Sequence, residues 1–319
     1  MTQRFVISVF ISMLLALGTV IASGQEYPTK PVRIVTAAAG SGNDFTARLI
    51  APELSSRLGQ QVLVDNRGGG VIAIDIVAKA PRDGYTLLFY GSPLWVLPLL
   101  RANLPYDPVK DFSAITLATE APNVLVVHPS VPARSTKELI ALAKARPGQL
   151  NYGSGSTGST SHLAAELFKA MAGVNLVRIP YKGAASALVA LLSGEFDLIF
   201  PSASSAVPYV KSGRLRALAV TSLQPSALAP GLPTVTSAGL PGYKSSSILG
   251  IFAPAGTPKS IISLLNREFV RALNNPEVKR RLFVSGVEAV GSSSEELATT
   301  MKSEMIKWGR LIQDRGIHE

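Results

Sequence analysis

The sequence predicts a two-lobed α/β protein, and three observations lead to that prediction. The chain has 319 residues, which is enough for two domains of ordinary size. Short apolar strands alternate with helices, the pattern of a sheet that carries helices on both faces. A unit of strand, small-residue loop, helix, glycine and strand occurs twice, with its loop starting first at residue 37 and again at residue 153.

The first unit begins a few residues after a polar stretch of the chain. Its predicted elements are a strand at 31–35, a loop at 37–43, a helix at 44–58, a strand at 62–64, a helix at 71–80 and a strand at 85–90. We expect Asn43 or Asp44 to cap the first helix and Gly59 to end it. The helical spacing predicts a buried face made of Phe45, Leu49, Ile50 and Leu54.

The second unit repeats this order with a loop of Gly, Ser and Thr only. Its elements are a strand at 150–152, the loop 153–160, a helix at 161–172 and a strand at 176–179. Beyond it we predict strands at 197–200, 215–221 and 248–253, helices at 184–192, 258–274, 276–284 and 293–314, and a short helix or turn at 203–211. The last helix has an apolar stripe that we expect in the core: Leu297, Met301, Met305 and Trp308.

The N-terminus has the three-part layout of a secretory signal peptide. Arg4 precedes an apolar run over residues 5–22, and the small residues Ala22 to Gly24 follow it. We expect export, with residues 1–24 removed by cleavage after Ala22 or Gly24. The alternative is a retained anchor helix, because the apolar run is just long enough to span a bilayer.

Composition excludes several classes of site. The chain has no cysteine, which removes disulfides, thiolate nucleophiles, zinc–thiolate sites and iron–sulfur clusters. Its three histidines, His128, His162 and His318, are too few and too scattered for a multi-histidine metal centre. The net charge of +10 comes from dispersed Lys and Arg without interleaved aromatic residues, so no nucleic-acid partner is expected. We expect no metal and no cofactor.

The loop of the second unit is the first candidate site. Residues 153–158 match the pattern G-x-G-x-x-G, in the strand-to-helix context of a dinucleotide fingerprint. The acidic residue expected about 20 positions later is absent, and Arg178 stands there, which leaves an NADP reading open. A flexible loop is another interpretation. We favour an anion site built from N–H groups and hydroxyls at the helix N-terminus, formed by Ser154, Gly155, Ser156, Thr157, Gly158, Ser159 and Thr160.

The loop of the first unit has the same chemistry. It consists of Ala38, Ala39, Gly40, Ser41, Gly42 and Asn43. Two such loops that face each other across a cleft would hold one small anion between them. Neither loop carries Lys or Arg, so the sequence predicts that neutral donors hold the anion. A catalytic interpretation is weaker, because no G-x-S-x-G motif occurs and His162 with Glu166 is expected to be a surface pair.

Several stretches resemble a known family. They are YPTKPVRIV (27–35), LGQQVLVDNRGGG (58–70), AKAPRDGYTLLF (78–89), NYGSGSTGSTSHLAAELF (151–168) and IPYKGAASALVALLSGEFDLIF (179–200). With them the chain resembles the periplasmic solute-binding proteins of tripartite tricarboxylate transporters, often called the Bug family. The resemblance implies a periplasmic-binding-protein fold of the Venus-flytrap, type II-like kind, with each lobe a mixed sheet flanked by helices. It implies residues 25–123 plus 248–319 for lobe 1 and 124–247 for lobe 2.

The resemblance also implies a ligand site. In the family, the loops equivalent to Ala37–Asp44 and Ser154–Thr160 grip a ligand carboxylate. Positions equivalent to Ser92 and to Pro201, Ser202 and Ser204, after the strand that ends at Phe200, face the cleft. Many relatives have an acidic residue where this chain has Pro201. We therefore expect a ligand without an ammonium group.

These observations predict an exported receptor rather than an enzyme. We expect it to capture a small organic carboxylate and to deliver it, as a monomer, to the membrane subunits of a tripartite tricarboxylate transporter. One alternative is an exported enzyme, either an NADP oxidoreductase or a hydrolase. The other is a ligand-sensing receptor that is not coupled to transport.

Overall fold

A computed structural model describes residues 27–68, 70–181 and 183–318 of the chain. The predicted signal peptide lies outside these residues. The strands are β1 (Val32–Thr36), β2 (Val62–Asn66), β3 (Thr86–Gly91), β4 (Phe112–Pro122), β5 (Val124–Val127), β6 (Asn151–Ser154), β7 (Val177–Pro180), β8 (Leu198–Ile199), β9 (Arg216–Val220), β10 (Ser246–Pro254) and β11 (Glu288–Ala289).

Helices alternate with these strands along most of the chain. They are α1 (Gly42–Leu58), α2 (Ile72–Ala78), α3 (Pro93–Leu100), α4 (Thr136–Ala145), α5 (Thr160–Ala172), α6 (Ala184–Leu192), α7 (Ala203–Lys211), α8 (Lys259–Asn274), α9 (Pro276–Val284) and α10 (Ser294–Arg315). Within the described residues, no helix combines the length and the apolar character needed to cross a membrane.

The strands form two sheets that share one topology. The first sheet has the order β2-β1-β3-β10-β4-β11, and the second has the order β7-β6-β8-β5-β9. In the first, β1 runs parallel to β2 and β3, whereas β10 runs antiparallel to β3 and β4. In the second, β6 runs parallel to β7 and β8, whereas β5 runs antiparallel to β8 and β9. The predicted fold of two lobes, each a mixed sheet flanked by helices, is confirmed.

The chain passes between the sheets at two places. Strand β4 leads into β5 through Asn123 alone, and the segment after β9 returns to the first sheet at Ser246, where β10 begins. Asn123 donates its N–H to the Thr221 hydroxyl over 2.8 Å, and its carbonyl accepts from the Thr221 N–H over 2.9 Å. The Ser245 N–H donates to the Thr221 carbonyl over 3.0 Å. The two crossings are therefore hydrogen-bonded to each other.

Helices cover both faces of each sheet. In the first lobe, α1 and α8 bury Leu54 and Phe269 on one face, while α2, α3 and α10 pack on the other. The predicted stripe of α10 holds: Leu297, Met301 and Trp308 are buried in this second layer, and Met305 packs against it. In the second lobe, α4 and α5 cover one face, and α6 and α7 cover the other. Each lobe thus has two apolar layers around its sheet.

Two differences from the predicted elements have physical causes. Helix α1 begins at Gly42 because Ser41, not Asn43 or Asp44, is the N-cap; its hydroxyl accepts the Asp44 N–H over 3.2 Å. Helix α3 was not predicted, because its sequence is apolar throughout and contains two prolines. It therefore lacks the alternation of apolar and polar faces that marks a helix. Its residues Leu94, Trp95 and Val96 are buried.

Gly153 gives a test of the packing in the second lobe. A Cβ at this position would lie 2.6 Å from Cε2 and 2.7 Å from Cε1 of the buried Phe196 ring. We expect Gly153→Ala to lower the free energy of unfolding by about 1–3 kcal/mol through overpacking, as measured by urea denaturation. Gly183→Ala is the control, because its Cβ would meet nothing within 4 Å. Equal stabilities of the two variants would contradict the packing described here.

Candidate functional site

A cavity of about 390 Å³ lies where the two lobes meet, against the strands that cross between them. Both lobes contribute to its wall. The lining residues that the sequence predicted are Gly40, Ser41, Gly42, Asn43, Thr160, Ser202 and Ser204. They lie at the N-termini of α1, α5 and α7, so three helix N-termini converge on one space.

The N-terminus of α1 is open to the cavity. The N–H groups of Gly42 and Asn43 have no hydrogen-bond partner within the described chain. By contrast, the Ser41 N–H donates to the Ala38 carbonyl, and the Phe45 N–H donates to the Ser41 carbonyl. Unpaired N–H groups of a first helical turn carry partial positive charge and point toward an anion. Ala38 and Ala39 are exposed but lie outside the cavity wall.

Asp44 shapes this loop rather than lining the cavity. Its carboxylate accepts hydrogen bonds from the Gly40 N–H at 2.8 Å, from Arg48 Nε at 2.7 Å and from Asn66 Nδ2 at 2.9 Å. The bond from Gly40 is the main reason that the pKa of Asp44 lies below its ordinary value, and burial opposes it. These bonds give Asp44 a structural role in the loop, and its predicted ligand contact stays a prediction.

The second loop is held by Arg178, the residue that left an NADP reading of this loop open. Arg178 donates from Nε to the Ser154 hydroxyl at 2.8 Å, from one terminal nitrogen to the Thr157 hydroxyl at 3.2 Å and from the other to the Gly155 carbonyl at 3.0 Å. Ser154 and Gly155 are buried, since β6 extends to Ser154. They anchor the loop to Arg178, and their predicted part in ligand binding stays a prediction.

The rest of this loop turns into α5. Ser159 caps the helix, accepting the His162 N–H, and the Ser156 carbonyl accepts the Ser159 N–H. Gly158 lies close against Leu100 of the first lobe. A Cβ atom at residue 158 would be 2.5 Å from the Leu100 Cδ1 atom. Ser156, Thr157, Gly158 and Ser159 lie outside the cavity wall, and Thr160 is the member of the loop that reaches it.

His162 is buried, which corrects the expected surface pair with Glu166. Its Nδ1 accepts the Gly158 N–H over 3.2 Å. Glu166 instead accepts from the Tyr152 hydroxyl at 2.5 Å and from Lys169 at 2.7 Å. Burial, with the nearby Arg178 charge, lowers the pKa of His162 to about 4. The ring is therefore neutral at pH 7 and supports the loop as an acceptor.

The N-terminus of α7 forms the opposite wall. Ser202 is its N-cap residue, and its hydroxyl lies 3.2 Å from that of Ser204 and 2.8 Å from that of Ser205. Pro201 is buried and its carbonyl accepts the Val124 N–H, so it joins the crossing segments instead of the wall. Ser92 is buried before α3 and also lies outside the wall. Both residues are enclosed by the packing of the lobes, and their predicted ligand contacts stay predictions.

The cavity also has a wall that sequence reasoning missed. Alternate residues of the crossing strands face it, and Phe45 lies in it half-exposed, although the helical pattern placed Phe45 in the core. The missed residues are Phe45, Thr46, Thr119, Ala121, Asn123, Ser247, Leu249, Ser285, Gly286 and Val287. Four of them lie on β4 and β10, where every second residue faces the cavity: Thr119, Ala121, Ser247 and Leu249. This alternation was the sequence signal that could have identified them.

The described cavity wall combines polar groups with apolar surface and carries no charged side chain. None of the described residues that line it has an ionisable side chain. Its surface consists of hydroxyls, the side-chain amides of Asn43 and Asn123, main-chain groups and apolar side chains. The arrangement can therefore hold an anion through main-chain N–H groups and hydroxyls. It offers no general base, nucleophile–base pair or metal-ligand set in the part of the wall that is described.

The low pKa of His162 predicts a pH-dependent loss of stability. The unfolded chain takes up a proton near pH 6.5 and the folded chain only near pH 4, so the unfolded state binds more protons between these values. Stability therefore falls as the pH drops through this window, by about 2 kcal/mol between pH 7 and pH 5.

Denaturation at both pH values tests this expectation. His162→Asn is the comparison, because its amide oxygen can accept the Gly158 N–H without titrating. The variant should lose about 2 kcal/mol less than wild type over the same interval. An identical pH profile for both proteins would rule out His162 as the source.

Comparison with known proteins places this geometry in a family. A family model described as the tripartite tricarboxylate transporter family receptor matches residues 46–317. Protein BugT of Bordetella pertussis is 35% identical over 299 residues, which cover 92% of this chain and 92% of BugT.

Solved structures agree in sequence and in fold. The structure of R. palustris Rpa4515 with adipate is 35% identical, has a TM-score of 0.78 and covers 92% of this chain and 99% of its own. MatC from Rhodopseudomonas palustris with bound malate is 30% identical, has a TM-score of 0.73 and covers 90% of this chain and all of its own. The resemblance read from the sequence motifs is therefore confirmed, and the chain belongs to the receptor family of the tripartite tricarboxylate transporters.

Proposed function

We propose that this receptor captures a small organic dicarboxylate between its two lobes and passes it to the membrane subunits of a tripartite tricarboxylate-type transporter. Members of the family are periplasmic solute-binding receptors. The finer points are proposals for this chain: export with cleavage after Ala22 or Gly24, lobes divided near residues 123 and 247, action as a monomer, and binding without catalysis.

The observation that carries the proposal is the convergence of three helix N-termini on one cavity from both lobes. Each N-terminus supplies unpaired N–H groups and about half a positive charge, and no acidic side chain of the described wall opposes them. A carboxylate on a ligand would bind at α1 and α5, near Gly42, Asn43 and Thr160. A second carboxylate would bind at α7, near Ser202 and Ser204.

The size and lining of the cavity support a short diacid. A volume of about 390 Å³ is at the lower end of the range for small-molecule sites. Phe45, Leu249 and Val287 offer apolar surface to a carbon chain between the two acid groups. The related structures named above contain adipate and malate, both of which are dicarboxylates.

An exported NADP oxidoreductase fits the contacts less well. That interpretation needs Arg178 to receive a 2′-phosphate, but its guanidinium is occupied by Ser154, Thr157 and the Gly155 carbonyl. The hydrolase interpretation needs a base beside a nucleophile, and the described wall has hydroxyls but no side chain that could act as a base. Binding without turnover is the function that these contacts support.

A single N–H group can be removed to test the carboxylate site. Gly42 is the first residue of α1, where proline is tolerated, and Ser41 before it has φ −74° and ψ 161°, which proline also accepts. We expect Gly42→Pro to weaken binding of adipate about tenfold or more, because a hydrogen bond to a charged group is worth about 1.5–3 kcal/mol.

Gly42→Ala is the matched control for this calorimetry. It adds a Cβ that meets nothing within 4 Å and keeps the N–H group, so its affinity should stay near that of wild type. If both variants bind adipate equally well, the Gly42 N–H is not a ligand donor and the proposed carboxylate site fails.

The second acid group is tested with a pair of ligands. Hexanoate has the carbon chain of adipate with a methyl group in place of one carboxylate. We expect adipate to bind at least about tenfold more tightly, since one charged hydrogen-bonded end is lost in hexanoate. Equal affinities, measured by calorimetry on the processed protein, would show that α7 does not receive a second carboxylate.

A further inference from the structure

The turn from Ser285 to Val287 follows α9 and belongs to the first lobe. It lines the cavity, and β11 directly after it pairs with β4, which fixes the turn beside the crossing strands. The N–H groups of all three residues are bonded to carbonyls of α9, at Arg281, Leu282 and Phe283. The turn therefore has no free donor for an anion, and its part in the site must be one of shape.

Gly286 sits in this turn directly against the second lobe. A Cβ built on it would overlap the Cβ of Ser204 and would lie 2.8 Å from the Ser204 Oγ and 2.9 Å from its Cα. The Cα is main chain, so a rotation of the serine side chain would not relieve the overlap. Ser204 is in the first turn of α7, whose N-terminus also lines the cavity.

We propose that Gly286 is a positioning residue for solute binding: its lack of a side chain lets the α7 N-terminus close onto the turn and complete the cavity. A side chain at residue 286 would keep Ser204 away, and with it the second lobe. The inference rests on the proposed capture of a solute between the lobes, but it adds a determinant that neither of the two glycine loops contains.

Backbone conformation alone does not explain the effect that we expect. Gly286 has φ +78°, so any side chain there is strained regardless of its neighbours. Gly231 has φ +81°, and a Cβ on it would meet nothing within 4 Å. Gly286→Ala and Gly231→Ala therefore share the backbone cost, while only Gly286→Ala meets the opposite lobe.

Calorimetry with adipate as the probe compares these two variants. We expect Gly286→Ala to bind about tenfold or more weakly than Gly231→Ala, while both melt at similar temperatures. In a Ser204→Gly background the overlapping Cβ and Oγ are gone, so adding Gly286→Ala should cost less affinity there. Equal affinities of the two alanine variants would overturn the proposal.

The separation of the lobes gives a readout that does not depend on the solute. Since the chain has no cysteine, Ser56→Cys on α1 and Ser212→Cys after α7 can be labelled selectively with a fluorescent donor and acceptor. We expect a lower transfer efficiency in Gly286→Ala than in Gly231→Ala. Equal efficiencies overturn the proposal, whereas failure of wild type to bind adipate would count against the proposed dicarboxylate alone.

Discussion

The hydrogen bonds among Asn123, Thr221 and Ser245 are the constraint on which the rest of the structure depends. They tie together the two places where the chain passes between lobes, and Asn123 Nδ2 also donates to the Phe200 carbonyl over 2.5 Å. Because these groups are buried, leaving one unpaired would be costly. The two crossings therefore stay side by side, and any relative motion of the lobes must pivot around them.

The same crossings set which residues face the cavity. Successive side chains of a strand point to opposite faces, so Thr119 and Ala121 of β4 face the cavity while Glu120 faces away. On the far side, Glu120 pairs with Lys244 at 3.2 Å, and Ser226 donates to Glu288 over 2.6 Å. Uncharged residues of β4 thus face the cavity, and the Glu120–Lys244 ion pair lies on the opposite side of the strand.

Charges also lie behind the loops that would hold the ligand. Asp44 binds the first loop through the Gly40 N–H, and Arg178 binds the second through Ser154 and Thr157. Each charge is satisfied by the protein itself and fixes main-chain N–H groups in place before a ligand arrives. Preorganised neutral donors avoid the desolvation cost that a free Lys or Arg in the cavity would add.

The sequence predicted much of the fold because its signals are local. Alternating strands and helices, the twice-repeated unit and the glycine ends of the helices can all be read from short windows, and several motifs together carry the family resemblance. The first loop was expected at the cavity from its own residues, whereas Ser202 and Ser204 were expected there from the family resemblance.

What the sequence did not predict depends on contacts between distant segments. Phe45 fits the apolar period of α1, but it lies in the first turn of the helix, where it lines the cavity and is half-exposed. Arg178 is far from the second loop in sequence and reaches it because β6 and β7 are neighbouring strands. The turn at Gly286 comes from the opposite end of the chain, and no local pattern links it to Ser204.

The uncharged wall has a consequence for how binding responds to acidity. With no ionisable side chain among its described residues, and with His162 neutral above about pH 5, the cavity wall keeps one protonation state over the neutral and mildly acidic range. The solute is then the only partner that exchanges protons. A plot of affinity against pH would trace the ionisation of the ligand, and its inflections would give the acid constants of an unidentified solute.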